Sequence, residues 1–236
     1  MWRTSAELVT GQEPEPEPET KQEMEFETGQ EPEPEQEMEL GPKQEQEEDM
    51  DPAFVQRDRA RKSGIAVEIA RTERLLIRET ILEDVPRLYE IGKRPGVCEY
   101  IKPMQPTLKD ETEFMDAYIH YAYVFYDYGL WTVLEQKSGE VIGRAGLFPS
   151  ETLEDAVELG YMITPEKQRR GYAGECGKAI LHYAGTVLDL SRVHVLADSR
   201  NTASVRTAEN LGFRECERIQ REKAEWIHFI KFLEFL

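Results

Sequence analysis

A short loop between an apolar strand pattern and a helix pattern carries the residues best suited to chemistry. Gly171 stands where the helix pattern begins, directly after Arg169 and Arg170. The first turn of a helix has N–H groups without intrahelical partners, and the helix dipole adds about half a positive charge there. Gly171 and the small Ala173 let a phosphate approach the backbone. The pattern indicates an anion site, although an ordinary strand–helix turn with surface arginines fits it equally well.

Two common phosphate-binding motifs are absent from this stretch. A P-loop has four residues between its first glycine and Gly-Lys, and Ser or Thr follows. Here five residues separate Gly171 from Gly177, and Ala179 follows Lys178. The glycines of this helix are spaced GxxGxxG and do not match the dinucleotide fingerprint GxGxxG. We therefore interpret them as sites of close helix packing.

The surrounding pattern predicts the elements that position this loop. Alternating apolar residues predict a strand near 73–79, and helical spacing predicts helices over 82–93 and 107–129. Thr107 and Asp110 are cap candidates for the second of these helices. Further strands are predicted at 130–136, 141–148, 157–163, 191–198, 213–220 and 226–233, and further helices at 171–188 and 202–212. This order describes one α/β domain over residues 69–236.

The first 50 residues differ from the rest in composition. They contain 17 acidic and 3 basic side chains, so −14 of the net charge of −18 lies there. The octapeptide at 10–17 recurs at 28–35 within a Glu/Pro/Gln-rich repeat. Charge repulsion and the lack of large apolar groups predict a disordered acidic tail over 1–50, either a solubilising extension or an arm for a basic partner. Residues 51–68 have mixed charge and predict a linker that can hold a short helix.

Composition also argues against several classes of protein. No apolar run reaches the roughly 18 to 20 residues of a membrane helix, and no apolar h-region typical of a secretory signal follows the first residues. The four histidines lack metal-ligand spacing, and the charge balance offers no basic face for nucleic acid. We expect a soluble, cytoplasmic protein that has no metal and binds neither nucleic acid nor membrane.

Several segments together resemble the GNAT superfamily of acetyl-CoA-dependent N-acetyltransferases. Residues 168–173 (QRRGYA) match its Q/R-x-x-G-x-G/A pyrophosphate motif. The segments that resemble the ribosomal-protein N-acetyltransferase (Rim-type) branch, in the family's order, are 72–91, 158–175, 201–204 and 209–213. The resemblance covers residues 69–236. It implies an α/β (α+β) fold with a mixed, mostly antiparallel central sheet flanked by helices.

The resemblance implies acetyl-CoA as co-substrate and places its binding residues. The strand before the loop would offer backbone groups to the pantetheine arm, the loop amides would hold the pyrophosphate, and a polar residue after the next strand would lie near the arm. In that order these residues are Tyr161, Met162 and Ile163; Gln168, Arg169, Arg170, Gly171, Tyr172 and Ala173; and Asn201. The strands at 157–163 and 192–198 would separate to admit the thioester.

Amine chemistry requires a proton acceptor. An alkylammonium ion with a pKa of about 10.4 must lose a proton before it attacks a thioester, and a carboxylate can take that proton directly or through water. Glu158, on the strand beside the expected thioester, is the first candidate, and a surface carboxylate on a strand is the alternative interpretation. Glu222 is the second candidate from the Rim-type resemblance, and its alternative is a residue of an ordinary hairpin turn.

The leaving thiolate requires a proton donor. Many family members supply the proton from a tyrosine at the position that Ala208 occupies here. Ser204 is the donor implied by the Rim-type resemblance, where this serine lies near the sulfur. A helix cap is an equally good use of the same serine.

We expect direct acetyl transfer to a primary amine, which is either a protein N-terminus or a small-molecule amine, by a monomer or homodimer. A catalytically weak acyl-CoA-binding or regulatory module with an acidic interaction tail is the alternative, because the usual tyrosine is missing at Ala208. The aromatic residues within 114–128 are expected to pack in the core, with the wall of an acceptor cleft as the other possibility.

Overall fold

The computed structural model describes residues 52–221 and 224–233. The strands are β1 (Glu68–Arg71), β2 (Leu75–Arg78), β3 (Leu130–Glu135), β4 (Val141–Pro149), β5 (Val157–Ile163), β6 (Arg192–Asp198), β7 (Arg214–Arg221) and β8 (Ala224–Phe232). The helices are α1 (Pro52–Lys62), α2 (Val85–Gly92), α3 (Leu108–Phe125), α4 (Tyr172–Thr186) and α5 (Thr202–Asn210), with 3-10 turns at Leu82–Asp84 and Pro165–Lys167. In this described part, no helix has both the length and the apolar character needed to cross a bilayer.

The strands form one sheet in the order β1-β2-β3-β4-β5-β6-β8-β7. All neighbouring pairs are antiparallel except β5 and β6. Parallel neighbours require a crossover connection, and α4 supplies it. The expected mixed, mostly antiparallel sheet flanked by helices is confirmed.

The two faces of β5 pack against different helices, because side chains alternate along a strand. Leu159 and Ile163 belong to the main core together with Ile180 of α4. Met162 points to the opposite face, where it packs with Leu88 and Ile91 of α2. Glu158 has the same parity as Met162, so its side chain starts from the face opposite α4.

The start of α3 confirms the predicted cap. The Thr107 hydroxyl oxygen accepts a hydrogen bond from the Asp110 N–H at 3.1 Å, and the Asp110 carboxylate accepts one from the Thr107 N–H at 3.2 Å. This reciprocal capping box satisfies two N–H groups that the helix cannot pair internally. The helix therefore begins at the predicted residue.

The core-packing expectation for the aromatic residues of α3 is wrong for three of them. Phe114, Tyr121 and Phe125 are 48%, 57% and 69% exposed. The buried stripe instead contains Met115, Ala122 and Tyr123. Apolar residues occur on both sides of this helix at helical spacing, so periodicity alone does not identify the face that meets the sheet.

The segment 51–68, expected as a linker with a short helix, contains α1 in its described part, and β1 begins at its last residue, Glu68. The Arg61 guanidinium donates from Nε to both carboxylate oxygens of Glu79, at 2.9 and 3.1 Å, and from Nη2 to Asp127 at 2.8 Å. Arg57 also pairs with Asp127. Glu79 is only 4% exposed, and burial raises the pKa of its carboxyl group while Arg61 opposes that rise. These ion pairs hold α1 against the sheet.

Replacing Arg61 tests this attachment. We expect Arg61→Ala to lower the free energy of unfolding by about 3–5 kcal/mol, because breaking a buried pair leaves the Glu79 carboxylate without its cation. Lys62→Ala is the matched control: Lys62 is adjacent on α1, its side chain is 72% exposed, and it pairs with Asp58. An exposed pair contributes about 0–1 kcal/mol. Urea unfolding measures both variants, and equal losses would contradict a stabilising role for α1.

Candidate functional site

The parallel contact between β5 and β6 is limited to one register pair. That pair joins Glu158 to His194, whereas β5 pairs with β4 along its full length from Val157 to Ile163. The β5–β6 ladder therefore stops near the beginning of both strands. Within the described residues, the carboxyl-terminal halves of β5 and β6 do not pair with each other. The expected separation of these strands is present, with Glu158 and His194 at its closed end.

The loop after β5 turns the chain into α4 through two left-handed residues. Arg169 has φ 55° and Gly171, the N-cap of α4, has φ 79°. The Gln168 side-chain amide donates to the Ile163 carbonyl oxygen at 2.9 Å, which ties the loop to the end of β5. Glycine adopts the left-handed conformation without steric penalty. Glycine at position 171 therefore lets the chain turn from the loop into the first turn of α4.

Arg74 holds this loop from the outside. It donates from Nη1 to the Arg170 carbonyl oxygen at 2.9 Å and from Nε to the Glu175 carboxylate at 2.6 Å. Its guanidinium carbon lies 4.3 Å from the centre of the Tyr172 ring. One arginine therefore binds the last loop residues to the first turn of α4. Sequence reasoning did not identify Arg74 as part of the site, because nothing in the sequence relates the turn before β2 to a loop almost a hundred residues later.

Tyr172 anchors the loop from the inside. Its hydroxyl donates to Glu135 at 2.7 Å, and the Lys167 ammonium donates to the same carboxylate at 2.8 Å. These donors, together with the Ser138 hydroxyl, lower the pKa of Glu135 to about 2. Tyr172 was expected to contribute to pyrophosphate binding; its side chain is buried in this contact, so only its backbone N–H is available for that role.

Gln168, Arg169, Arg170 and Gly171 are exposed. Neither arginine side chain forms an ion pair with another residue of the described part of the chain. A cavity of about 370 Å³ lies next to the loop. It is lined by Arg74, Gly171, Gly174, Glu175, Lys178, Asn210 and Leu211. The loop thus combines free cationic side chains with a helix N-terminus, which is an arrangement suited to a phosphate group.

Glu158 is a buried carboxylate, so the alternative of a surface strand residue is wrong. It is 8% exposed and lies between Phe148 of β4 and His194 of β6 in the sheet register. Burial raises the pKa of its carboxyl group, and a hydrogen bond from Ser150 and the positive charge of Arg221 act against that rise. A raised pKa suits a group that must accept a proton near neutral pH.

The start of α5 separates the roles of two expected site residues. Asn201 is the N-cap, and its side-chain oxygen accepts from the Ser204 N–H at 3.1 Å. The alternative in which Ser204 caps the helix is therefore wrong, and its half-buried hydroxyl is left for another use. Ala208 is 2% exposed, packed in the main core. Glu222 lies outside the described residues.

Comparisons with known proteins agree with this geometry. The family model for the acetyltransferase (GNAT) domain matches residues 74–214, more than half of the chain. The uncharacterised protein YkkB of Bacillus subtilis is 31% identical over 97 residues, which are 41% of this chain and 56% of that protein. The chain thus matches little more than half the length of this relative.

Two solved structures share the fold at low identity. RimL, a ribosomal L7/L12 alpha-N-protein acetyltransferase in complex with coenzyme A, has a TM-score of 0.62 and 16% identity, with 70% of this chain and 98% of that chain covered. Spermidine N-acetyltransferase from Vibrio cholerae, in complex with coenzyme A and spermine, has a TM-score of 0.59 and 18% identity, with 69% and 97% covered.

The order of the elements, the single parallel pair with its short ladder, the glycine-capped helix behind it and the match over residues 74–214 lead to one conclusion: the chain belongs to the GNAT acetyltransferase family.

Proposed function

We propose that this protein transfers an acetyl group from acetyl-CoA directly to a primary amine, in a ternary complex and as a Rim-type member of its family. The observation that carries the proposal is the β5–β6 ladder that stops after Glu158 and His194 beside a helix N-terminus. An extended pantetheine arm suits the space between two strands that no longer pair. Its pyrophosphate would then reach the first turn of α4, where N–H groups and the helix dipole favour an anion.

The binding residues follow from this placement. The backbone of Tyr161, Met162 and Ile163 would contact the pantetheine arm along the unpaired edge of β5, and the amides of residues 168–173 would hold the pyrophosphate. Arg169 and Arg170 would add charge-assisted hydrogen bonds. Asn201 uses its side-chain oxygen for the α5 cap, so its amide NH₂ is the group that remains for the cofactor.

Glu158 is our proposed proton acceptor. A primary ammonium ion and acetyl-CoA react to give an amide, the free thiol of coenzyme A and one released proton. Removal of that proton at pH 7 from a group with a pKa of about 10.4 requires roughly 4–5 kcal/mol. A buried carboxylate beside the thioester lowers this barrier, because its raised pKa is closer to the pKa of the ammonium ion. Positioning of the amine against the thioester supplies a further part of the acceleration.

The proposed proton donor to the leaving thiolate is Ser204, which acts as a hydrogen-bond relay because a serine hydroxyl is a weak acid. Its position in the first turn of α5 and its unused hydroxyl support this role. Glu222 remains our second candidate for the proton acceptor, from the Rim-type resemblance alone.

For the acceptor, we propose a cationic amine, either a protein N-terminus or a polyamine-like small molecule. RimL is named for acetylation of a ribosomal protein, and the Vibrio cholerae enzyme is named for spermidine. Glu151 is close enough to Glu158 for its negative charge to raise the pKa of the Glu158 carboxyl group. Glu217 lies on the same face of the sheet, in hydrogen-bond contact with His228. These carboxylates suit an ammonium group, and the cations beside them are Arg221 and Lys102, which pairs with Glu151.

One observation supports the alternative of a catalytically weak acyl-CoA-binding module. Ala208 stands where many relatives have a tyrosine, and it is buried at 2% exposure. The methyl group cannot protonate a thiolate, so binding of acetyl-CoA without efficient turnover is the behaviour expected if Ser204 does not replace the tyrosine.

Cofactor binding is tested by thermal unfolding with acetyl-CoA, with ATP as the control ligand. At about 100 times its Kd a ligand stabilises by about 2.7 kcal/mol, which is roughly 5–10 °C for a domain of this size. Gly171→Asp should abolish the shift, because the new carboxylate repels the pyrophosphate at the helix N-terminus. Gly171→Asn is the matched control, since Asn also tolerates left-handed φ but is neutral. An undiminished shift in the Asp variant would refute the loop assignment.

Proton acceptance is tested by Glu158→Gln, measured as release of coenzyme A thiol that depends on added spermidine or a peptide with a free N-terminus. We expect kcat to fall by about 10²–10⁴-fold while the acetyl-CoA thermal shift persists. In the wild type, kcat/KM should rise as pH increases through the raised pKa of Glu158, because only the carboxylate accepts a proton. This rise should disappear in the variant.

Ser204→Ala provides the comparison within the same assay. If Ser204 relays a proton to the thiolate, its loss reduces kcat with little change in the KM for acetyl-CoA. Wild-type turnover in Ser204→Ala would remove that residue from the mechanism, and wild-type turnover in Glu158→Gln would transfer the role of proton acceptor to another group.

A further inference from the structure

Apolar side chains follow the outer side of α3 at the spacing of a coiled-coil seam. Steps of three, four and three residues separate Phe114, Ala117, Tyr121 and Val124. Side chains at this spacing share one side of a helix in successive turns. All four are exposed, and Phe125 is exposed beside them, whereas α3 buries Met115 and Ala122 on another side. We call these five exposed residues the outer stripe.

The aromatic rings of the outer stripe are already ordered by contacts along the helix. The rings of Tyr121 and Phe125 stack 5.4 Å apart with an interplanar angle of 7°, and Phe114 stacks on Tyr118 at 6.2 Å. A ring that is held in place loses less conformational freedom when a partner covers it. The outer stripe is therefore a preformed apolar surface.

The outer stripe lies apart from the proposed active site. Helix α3 packs over β3 and β4: the Tyr118 hydroxyl accepts a hydrogen bond from the Leu130 N–H at 2.8 Å, and the Met115 sulfur is 3.9 Å from the Arg144 guanidinium. The strand opening lies between β5 and β6, further across the sheet. Variants in the outer stripe therefore leave every residue proposed for acetyl-CoA in place.

The exposed apolar area is close to what one side of a homodimer interface requires. On a scale of about 200 Å² for a whole aromatic side chain, the three exposed rings leave about 350 Å² in water, and Ala117 and Val124, which is 53% exposed, add to this. A standard interface buries about 800 Å² per partner. Since about 65% of a homodimer interface is apolar, each copy needs roughly 500 Å² of apolar surface.

The outer stripe is also complementary to itself. In an antiparallel pair of helices related by a two-fold axis, residue i of one copy contacts residue j of the other, and j contacts i. An axis midway between Ala117 and Tyr121 places each alanine opposite the tyrosine of the second copy, and Phe114 opposite Val124. Large side chains then face smaller ones in every layer, which is the arrangement that lets packed helices interdigitate.

The charged residues beside the outer stripe favour a protein partner over a lipid surface. Helices that lie on membranes carry a basic polar face, whereas this side of α3 exposes Glu113 and Asp116. Lys109 pairs with Glu113 at 3.6 Å. This ion pair also reduces the repulsion between two copies of the same helix.

We propose that the protein forms a homodimer in which two α3 helices pack antiparallel through the outer stripe. Each ring of the stripe then leaves water against an apolar side chain of the second copy, and this burial stabilises the dimer. The proposal does not depend on the proposed function, because it involves neither acetyl-CoA nor an amine.

The first test measures the mass of the full chain by light scattering, which does not depend on molecular shape, over a dilution series. We expect twice the monomer mass of 27.3 kDa at high concentration. Tyr121→Lys should raise the dissociation constant at least about tenfold, because a buried aromatic anchor is lost and an ammonium group must leave water. Ile65→Lys is the matched control, since Ile65 is an apolar residue 63% exposed outside α3. Far-UV circular dichroism checks that each variant is folded.

The second test examines the two-fold register. Ala117→Glu and Tyr121→Lys should each weaken the dimer, and an equimolar mixture of the two variants should restore it. In the mixed dimer, the new carboxylate at position 117 of one copy lies opposite the new ammonium group at position 121 of the other. Added salt should weaken this restored dimer more than the wild type, because it screens the new charge pair.

The outcomes decide the proposal without any measurement of activity. A monomeric mass throughout the dilution series overturns it, and so does an oligomer that Tyr121→Lys and Ala117→Glu leave unchanged. If each variant is monomeric and their mixture is monomeric as well, the two-fold pairing of α3 is wrong. Loss of acetyl-CoA binding or of amine-dependent thiol release would refute the proposed function and leave the dimer unaffected.

Discussion

The site depends on one constraint, the early end of the ladder between β5 and β6. Two parallel neighbours in the middle of a sheet normally pair along their whole length, yet here β5 and β6 share one register pair, Glu158 with His194. The antiparallel pairs on either side, β4–β5 and β6–β8, are long, so the sheet remains continuous while its centre opens. Unpaired backbone groups in a protein interior are unfavourable, which means that this edge favours a ligand able to pair with it.

The loop behind the opening is held by contacts that converge from distant parts of the chain. Arg74, just before β2, donates to the Arg170 carbonyl oxygen and to Glu175, and Glu135 on β3 accepts hydrogen bonds from both Tyr172 and Lys167. The loop that carries the exposed arginines is therefore held in place by residues outside it. A helix N-terminus binds anions well only if its N–H groups keep their direction, and these ion pairs provide that direction.

The sequence predicted most of the fold and the loop, and the reasons for the misses are physical. Strands after residue 73 alternate in polarity and the capping box at Thr107 is a local signal, so both were predictable. The buried face of α3 was not predictable, because apolar side chains lie on both sides of the helix and only tertiary packing determines which side is buried. The strand β1 and the attachment of α1 were missed because Arg61 and Glu79 signal nothing until the chain brings them together. The role of Arg74 depends in the same way on contacts distant in sequence.

In the proposed reaction, Ala208 and Glu158 concern the two ends of one proton balance. Acetyl transfer to an ammonium ion releases one proton overall, and it also requires a proton at the thiolate. Ala208 is buried in the core and offers no acid, so the proposed reaction would take the proton of the thiolate from a weaker donor such as Ser204. Rapid removal of the amine's proton then becomes more important, since a thiolate is expelled most readily once the attacking nitrogen has lost its positive charge. The proposed acceptor of that proton, Glu158, is the buried carboxylate at the closed end of the β5–β6 ladder.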